Sequence, residues 1–135
     1  MNPQLKYRAG YKYVTHADYV IDIPLQGYEV AHEYFTLDAA GRLWIRRGYA
    51  WDGASGLTID TDSSIIGSLV HDVLFQMLRE GRLPQTTFTP ANEILRRLCV
   101  NDGMYGWRAE IWRKAVEKFG SVHAAVKPPE VLTAP

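Results

Sequence analysis

The hydrophobic period of the chain changes once, near Thr61, from about two residues to about 3.6, so strand-like and helix-like halves are joined in one order. Upstream, Tyr11, Tyr13, Val14, Tyr19, Val20, Ile21 and Ile23 favour extended backbone, and Pro24 and Gly27 interrupt the run. Residues 33–37 and 42–47 flank Asp38-Ala39-Ala40-Gly41 and read as a hairpin. Three to five short strands are expected, with the tyrosines packing on a sheet face. Downstream, Ile65, Ile66, Leu69, Val70, Val73, Leu74, Met77 and Leu78 make a broad apolar face, capped by Asp62 or Ser63 and ended by Gly81 and Pro84. A second helix starts with Thr89 as cap and Pro90 as first helical residue, carries Ala91, Ile94, Leu95, Leu98 and Cys99 on one face, and stops by Gly103. The third runs over 107–119 with Ile111, Trp112, Ala115, Val116 and Phe119 inward, and Gly120 ends it. The predicted class is α+β: an N-terminal antiparallel β-sheet of short strands followed by three α-helices.

A chain of 135 residues, 47% hydrophobic and 22% charged, has the size and composition of a single globular domain. Its parts are a strand-rich stretch (1–60), a helical stretch (61–120) and an extended C-terminal tail (121–135), in which Lys127-Pro128-Pro129-Glu130 cannot continue a helix. Fifteen basic residues balance fifteen acidic ones, so no net field favours nucleic acid. No apolar run approaches the ~18 residues of a transmembrane segment, and the N-terminus lacks the apolar core of a signal peptide. The expectation is a protein that acts where it is made. One cysteine, Cys99, excludes an internal disulfide, leaving packing or a metal to hold the fold.

Chemistry concentrates in residues 48–76. Trp51-Asp52-Gly53-Ala54-Ser55 reads as a loop, and His71-Asp72 lies inside the apolar helical run, where ionisable groups need partners. On a helix these two side chains diverge by about 100°, so they are not partners of each other. His71 shares a side with Gly67 and Phe75, and Asp72 one with Ser68 and Gln76. Asp72 and Asp52, with backbone carbonyls of the Asp52-Gly53-Ala54 loop, form a candidate oxygen set for calcium. His71 beside that cation would be a general base on a water. The same pair also has a purely structural use, with Asp72 bonding a loop N–H and His71 a backbone carbonyl. Asp52-Gly53 is in addition an ordinary turn signal. His16, His32 and His123 lack ligand spacing and read as surface residues, which disfavours a two-histidine metal centre.

The ordered blocks GYAWDGAS, SLVHDVLFQ, TPANEILRRL and WRAEIWRKAVEKFG, spanning 48–120, resemble the family designated domain of unknown function 1353, found in tailed bacteriophages and prophages. There an Ala-Ser loop precedes a helix bearing His-Asp-x-Leu-Tyr, a helix bearing Ala-Asp-x-x-Phe, and a last helix ending in Ala-Val-x-x-Phe-Gly. The strand region is similar to that family only in pattern.

The central blocks also bear a more distant likeness to secretory phospholipase A2, in which a calcium loop precedes a His-Asp helix and an antiparallel helix supplies an orienting Asp. That resemblance implies that the first two helices are antiparallel and that His71 approaches Asn92. It further implies that Asp52, Gly53 and Asp72 hold calcium, that His71 is the base and that Phe75 is the neighbouring aromatic. The sequence departs at Asn92, which stands where the orienting Asp is expected, so slow or absent turnover follows, and Asn92→Asp is expected to raise it. Asn92 has a second reading as a polar first-turn residue three after Thr89.

The functions implied are a virion- or tail-associated phage protein on a phospholipase A2-like scaffold, or a calcium-dependent phospholipid esterase. The absence of an apolar collar evident in the sequence favours the first. Its expected partners are other phage structural chains, reached through the proline-rich tail, with lipid as a further ligand and no nucleic acid. Its expected place is the bacterial host cytoplasm during synthesis and then the virion.

Overall fold

A computed structural model describes residues 2–8, 13–51 and 62–119. Its elements in chain order are β1 (Tyr7–Arg8), β2 (Tyr13–Thr15), β3 (Tyr19–Asp22), β4 (Val30–Ala31), β5 (Phe35–Leu37), β6 (Arg42–Ile45), β7 (Ala50–Trp51), α1 (Ile65–Arg79), α2 (Phe88–Asn101) and α3 (Gly106–Phe119). The class is α+β, antiparallel strands first and three helices after. The strands form two sheets, ordered β1-β2-β7 and β3-β6-β5-β4. The strands among the described residues outnumber the three to five expected because β1, β4 and β7 are two residues long, too short for an alternating pattern to show.

The four-stranded sheet obeys the period-two rule. Tyr19 and Ile21 of β3 and Leu43 and Ile45 of β6 are buried, while Val20, Asp22, Arg42 and Trp44 face outward. Tyr19 pairs with Ile45, and Ile21 with Leu43, so apolar side chains oppose one another across the ladder. The β5–β6 hairpin turns at residues 38–41 as expected. Asp38 Oδ1 accepts from the Ala40 and Arg42 N–H groups at 3.0 and 2.9 Å, and Gly41 has φ +94°. A Cβ on Gly41 would lie 2.4 Å from the Ile23 carbonyl oxygen, so both the backbone angle and the close approach require glycine.

α1 is the central helix, with Asp72, Gln76 and Arg79 its only positions that are not buried. Three contacts define its direction against α2: Gly67 lies against Leu95 and Cys99, His71 against Asn92, and Phe75 against Phe88. Partners in α2 run backwards as α1 advances, so the two helices are antiparallel. A Cβ on Gly67 would sit 2.7 Å from Cys99 Sγ, and the missing side chain is what lets the helices approach. Strand residues, α1 and one face of α2 share the main core, while Leu95, Cys99, Met104, Ala109 and Trp112 make a second one under α3. Burial pushes the Cys99 thiol up to about 12, which keeps it in its unreactive protonated form.

Helix starts differ from the sequence expectation. Ser64 precedes α1, in place of Asp62 or Ser63, and makes no side-chain cap bond. α2 begins at Phe88 because a short 3₁₀ turn over Gln85–Thr87 feeds it, which places Thr89 inside the first turn instead of at the cap. In α3, Trp112 is buried, Ala115 and Val116 are half-buried, and the Phe119 side chain lies outside what is described. Ile111 points outward, 56% exposed, and Ala109 takes the buried position, since α3 meets α2 along a narrow stripe. Tyr105 at 73% and Trp107 at 67% are likewise exposed at the start of α3, large apolar side chains that the sequence pattern does not place outward. No helix among the described residues is long and apolar enough to cross a membrane.

Candidate functional site

The divergence of adjacent residues on α1 sends His71 and Asp72 to different neighbours. Asp72 belongs to the side that meets the strands. One turn before it, Ser68 Oγ accepts from Trp51 Nε1 at 3.0 Å, and one turn after it, Gln76 Oε1 accepts from the Tyr49 hydroxyl at 2.8 Å. The Tyr49 phenol is pushed well above its ordinary range, first by burial and then by the negative charge of Asp72. Asp72 is half-buried, next to the strand from which the chain proceeds to residue 52. Asp52 and Gly53, the other two expected calcium ligands, lie outside the described residues, as do His123 and the tail over 121–135.

His71 belongs to the side that meets α2. It is 7% exposed, its ring packs on Phe75 with centroids 4.0 Å apart, and its Nε2 lies 2.7 Å from Asn92 Oδ1. The approach of His71 to Asn92 is therefore present, across the antiparallel helix pair. Burial lowers the imidazole from its ordinary value to about 4, the Asn92 hydrogen bond opposing only part of that shift. At neutral pH the ring is uncharged.

Sequence reasoning missed Glu117. This α3 residue accepts from Asn92 Nδ2 through Oε2 at 2.5 Å and from the Thr89 hydroxyl through Oε1 at 2.5 Å. Thr89, expected as a cap, is instead a donor to α3. A signal was present: a glutamate in the last turn of a helix faces the negative end of the helix dipole, an unfavourable place unless donors hold it. Glu117 also alters the outcome expected for Asn92→Asp. That change alone would set a carboxylate against a carboxylate at hydrogen-bond distance, where both cannot stay ionised. A carboxylate behind His71 therefore requires Glu117→Gln in the same protein, so that an amide and an acid exchange places.

The remaining described histidines separate. His16 is exposed, as expected. His32 is not a free surface residue: its ring stacks on Phe35 at 4.1 Å, its Nδ1 accepts from the Tyr34 N–H, and its Nε2 lies 3.6 Å from Glu80. It joins the edge of the four-stranded sheet to the end of α1. Among the described residues no three His, Cys, Asp or Glu side chains cluster as a metal-binding group. Compared with known proteins, the chain matches no family model, no curated protein and no solved structure.

Proposed function

We propose that this is a virion- or tail-associated protein of a bacteriophage or prophage, built on a phospholipase A2-like helix pair whose His71 turns over lipid esters slowly or not at all. The observation that carries the scaffold reading is the 2.7 Å contact between His71 Nε2 and Asn92 Oδ1 across antiparallel helices. It joins the two positions where the resemblance expects the base and its orienting residue. The neutral amide at the second position supports weak turnover, since it brings no charge of its own to an imidazolium. The phage assignment rests on the four ordered sequence blocks.

The second reading, a calcium-dependent phospholipid esterase, gains from two observations. The uncharged His71 is in the protonation state of a base, and Tyr105, Trp107 and Ile111 are exposed large apolar side chains of the kind that enter a lipid interface. Asp72 fits a calcium ligand in charge and in its place beside the strand leading to residue 52. Calcium bound by Asp52, Gly53 and Asp72 would supply oxyanion stabilisation.

Hydrolysis of phosphatidylglycerol in mixed micelles, with calcium or with chelator, separates the readings. We expect slow or no hydrolysis by the wild type, and faster calcium-dependent hydrolysis by Asn92→Asp/Glu117→Gln that His71→Ala abolishes. Brisk wild-type hydrolysis lost in His71→Ala would establish the esterase instead. A double variant as inert as the wild type would remove the phospholipase A2-like reading.

The partners proposed are other phage chains that receive residues 121–135, a stretch that carries Pro128, Pro129 and Pro135. Deleting 121–135 should leave the melting temperature unchanged and abolish incorporation into particles, read by mass spectrometry of purified virions. Incorporation of the shortened protein would sink the docking role.

A further inference from the structure

In the hydrogen-bonded chain His71–Asn92–Glu117 at the α1–α2–α3 junction, Glu117 has one hydrogen-bonding sense, and each end of the Asn92 amide has one. A carboxylate accepts and an amide nitrogen donates. Glu117 accepts from the Thr89 hydroxyl through one oxygen and from Asn92 Nδ2 through the other, both at 2.5 Å, so both of its oxygens are engaged. Rotating the Asn92 amide by half a turn would bring its oxygen against Glu117 Oε2, acceptor against acceptor at the same short distance. The amide therefore has one orientation, with Oδ1 toward His71. An acceptor 2.7 Å from Nε2 requires that Nε2 carry the proton.

We infer that Glu117 is a positioning residue for His71: by accepting from Thr89 and Asn92 it holds the Asn92 amide oxygen toward the imidazole, which selects the Nε2-protonated tautomer and leaves Nδ1 with the lone pair. The inference rests on the reading of His71 as the site's base, and it adds a carboxylate from a third helix. A His–Asp arrangement delivers its carboxylate directly. Here the carboxylate acts at one remove, through an amide that it orients and polarises. The fully buried Asn92 is the link, and Thr89 completes the seat of Glu117 on the first turn of α2.

The tautomer of His71 is read directly by two-bond ¹H–¹⁵N correlation spectra of ¹⁵N-labelled full-length protein at neutral pH, with the signals assigned by their loss in His71→Gln. In the wild type a single pattern is expected, with Nε2 protonated and Nδ1 bare. In Glu117→Gln the side chain keeps its size but can donate as well as accept, so Asn92 loses its fixed sense. The His71 pattern should then split into two, the new one carrying the proton on Nδ1. Glu117→Asp, which remains an acceptor, should keep more of the Nε2–H form than Glu117→Gln does. An unsplit Nε2–H pattern in Glu117→Gln would overturn the inference and leave Glu117 as a peg that only docks α3 on α2. Because the spectrum needs no substrate, a protein without lipid hydrolysis but with the split pattern loses the catalytic reading and keeps this one. Hydrolysis with an unsplit pattern does the reverse.

Discussion

Asn92→Leu is expected to lower the unfolding free energy by about 3–5 kcal/mol, a large share of the stability of a domain this size. Leucine keeps the branching of the asparagine side chain but is bulkier, and its methyls cannot approach His71 and Glu117 as closely as hydrogen-bonded atoms do, so lost hydrogen bonds and overpacking act together. Asn92 is fully buried and serves two groups at once, accepting from His71 Nε2–H and donating to Glu117 Oε2. Its removal strands a buried donor and a half-buried acceptor, each of which costs on the order of 1–3 kcal/mol when left unmade. Asn92→Asp alone should also destabilise, by setting like charges together, whereas Asn92→Asp/Glu117→Gln restores a donor to every acceptor and should recover most of the loss. Urea midpoints at neutral pH, with unchanged slope, would check the series. Equal stability of Asn92→Asp and the double variant would show that Glu117 does not engage residue 92 in solution.

Stability should fall by about 2 kcal/mol between pH 7 and pH 5, with one titrating imidazole as the cause. His71 is held near 4 in the folded chain by burial, against an ordinary value of 6.5. Between those two values the unfolded chain binds a proton that the folded chain refuses, so stability is fully present above about 6.5 and is lost as pH falls toward 4. The complete loss approaches roughly 3 kcal/mol. Backbone and indole hydrogen bonds on Asp18, and the guanidinium hydrogen bonds on Glu93 and Glu110, also lower those carboxyls, and they lose stability in the same direction. Their window lies below the ordinary carboxylate range, so the upper part of the slope belongs to His71. His71→Gln, whose amide can still donate to Asn92 Oδ1 and does not titrate, should flatten the dependence between pH 7 and 5. A slope that survives this substitution would assign it elsewhere.

The features legible in the sequence are those with local causes. The order of strands before helices follows from the change of hydrophobic period near Thr61, and the hairpin at 38–41 follows from an Asp that bonds the turn and a Gly at positive φ. That His71 and Asp72 face different neighbours follows from helix geometry alone: His71 meets Asn92, while Ser68 and Gln76, one turn either side of Asp72, meet Trp51 and Tyr49. Helix starts are less legible. Thr89 has the chemistry of a cap, but the 3₁₀ turn over Gln85–Thr87 begins α2 earlier and frees its hydroxyl for Glu117.

The amino-acid order by itself determined the class, the helix that carries the ionisable pair, and the side of that helix on which each member lies, because periodicity and turn chemistry act within a few residues. Tertiary structure alone decided which strands share a sheet, since β2 pairs with β7 across a long separation in sequence and no local pattern encodes a partner. It decided that Ile111 faces outward, because the width of the buried stripe on α3 is set by how that helix leans on α2. It also decided the state of the candidate base. Burial, which keeps His71 neutral, and the orientation of Asn92, which selects its tautomer, come from Glu117 and from side chains on three helices that meet only once the chain is packed.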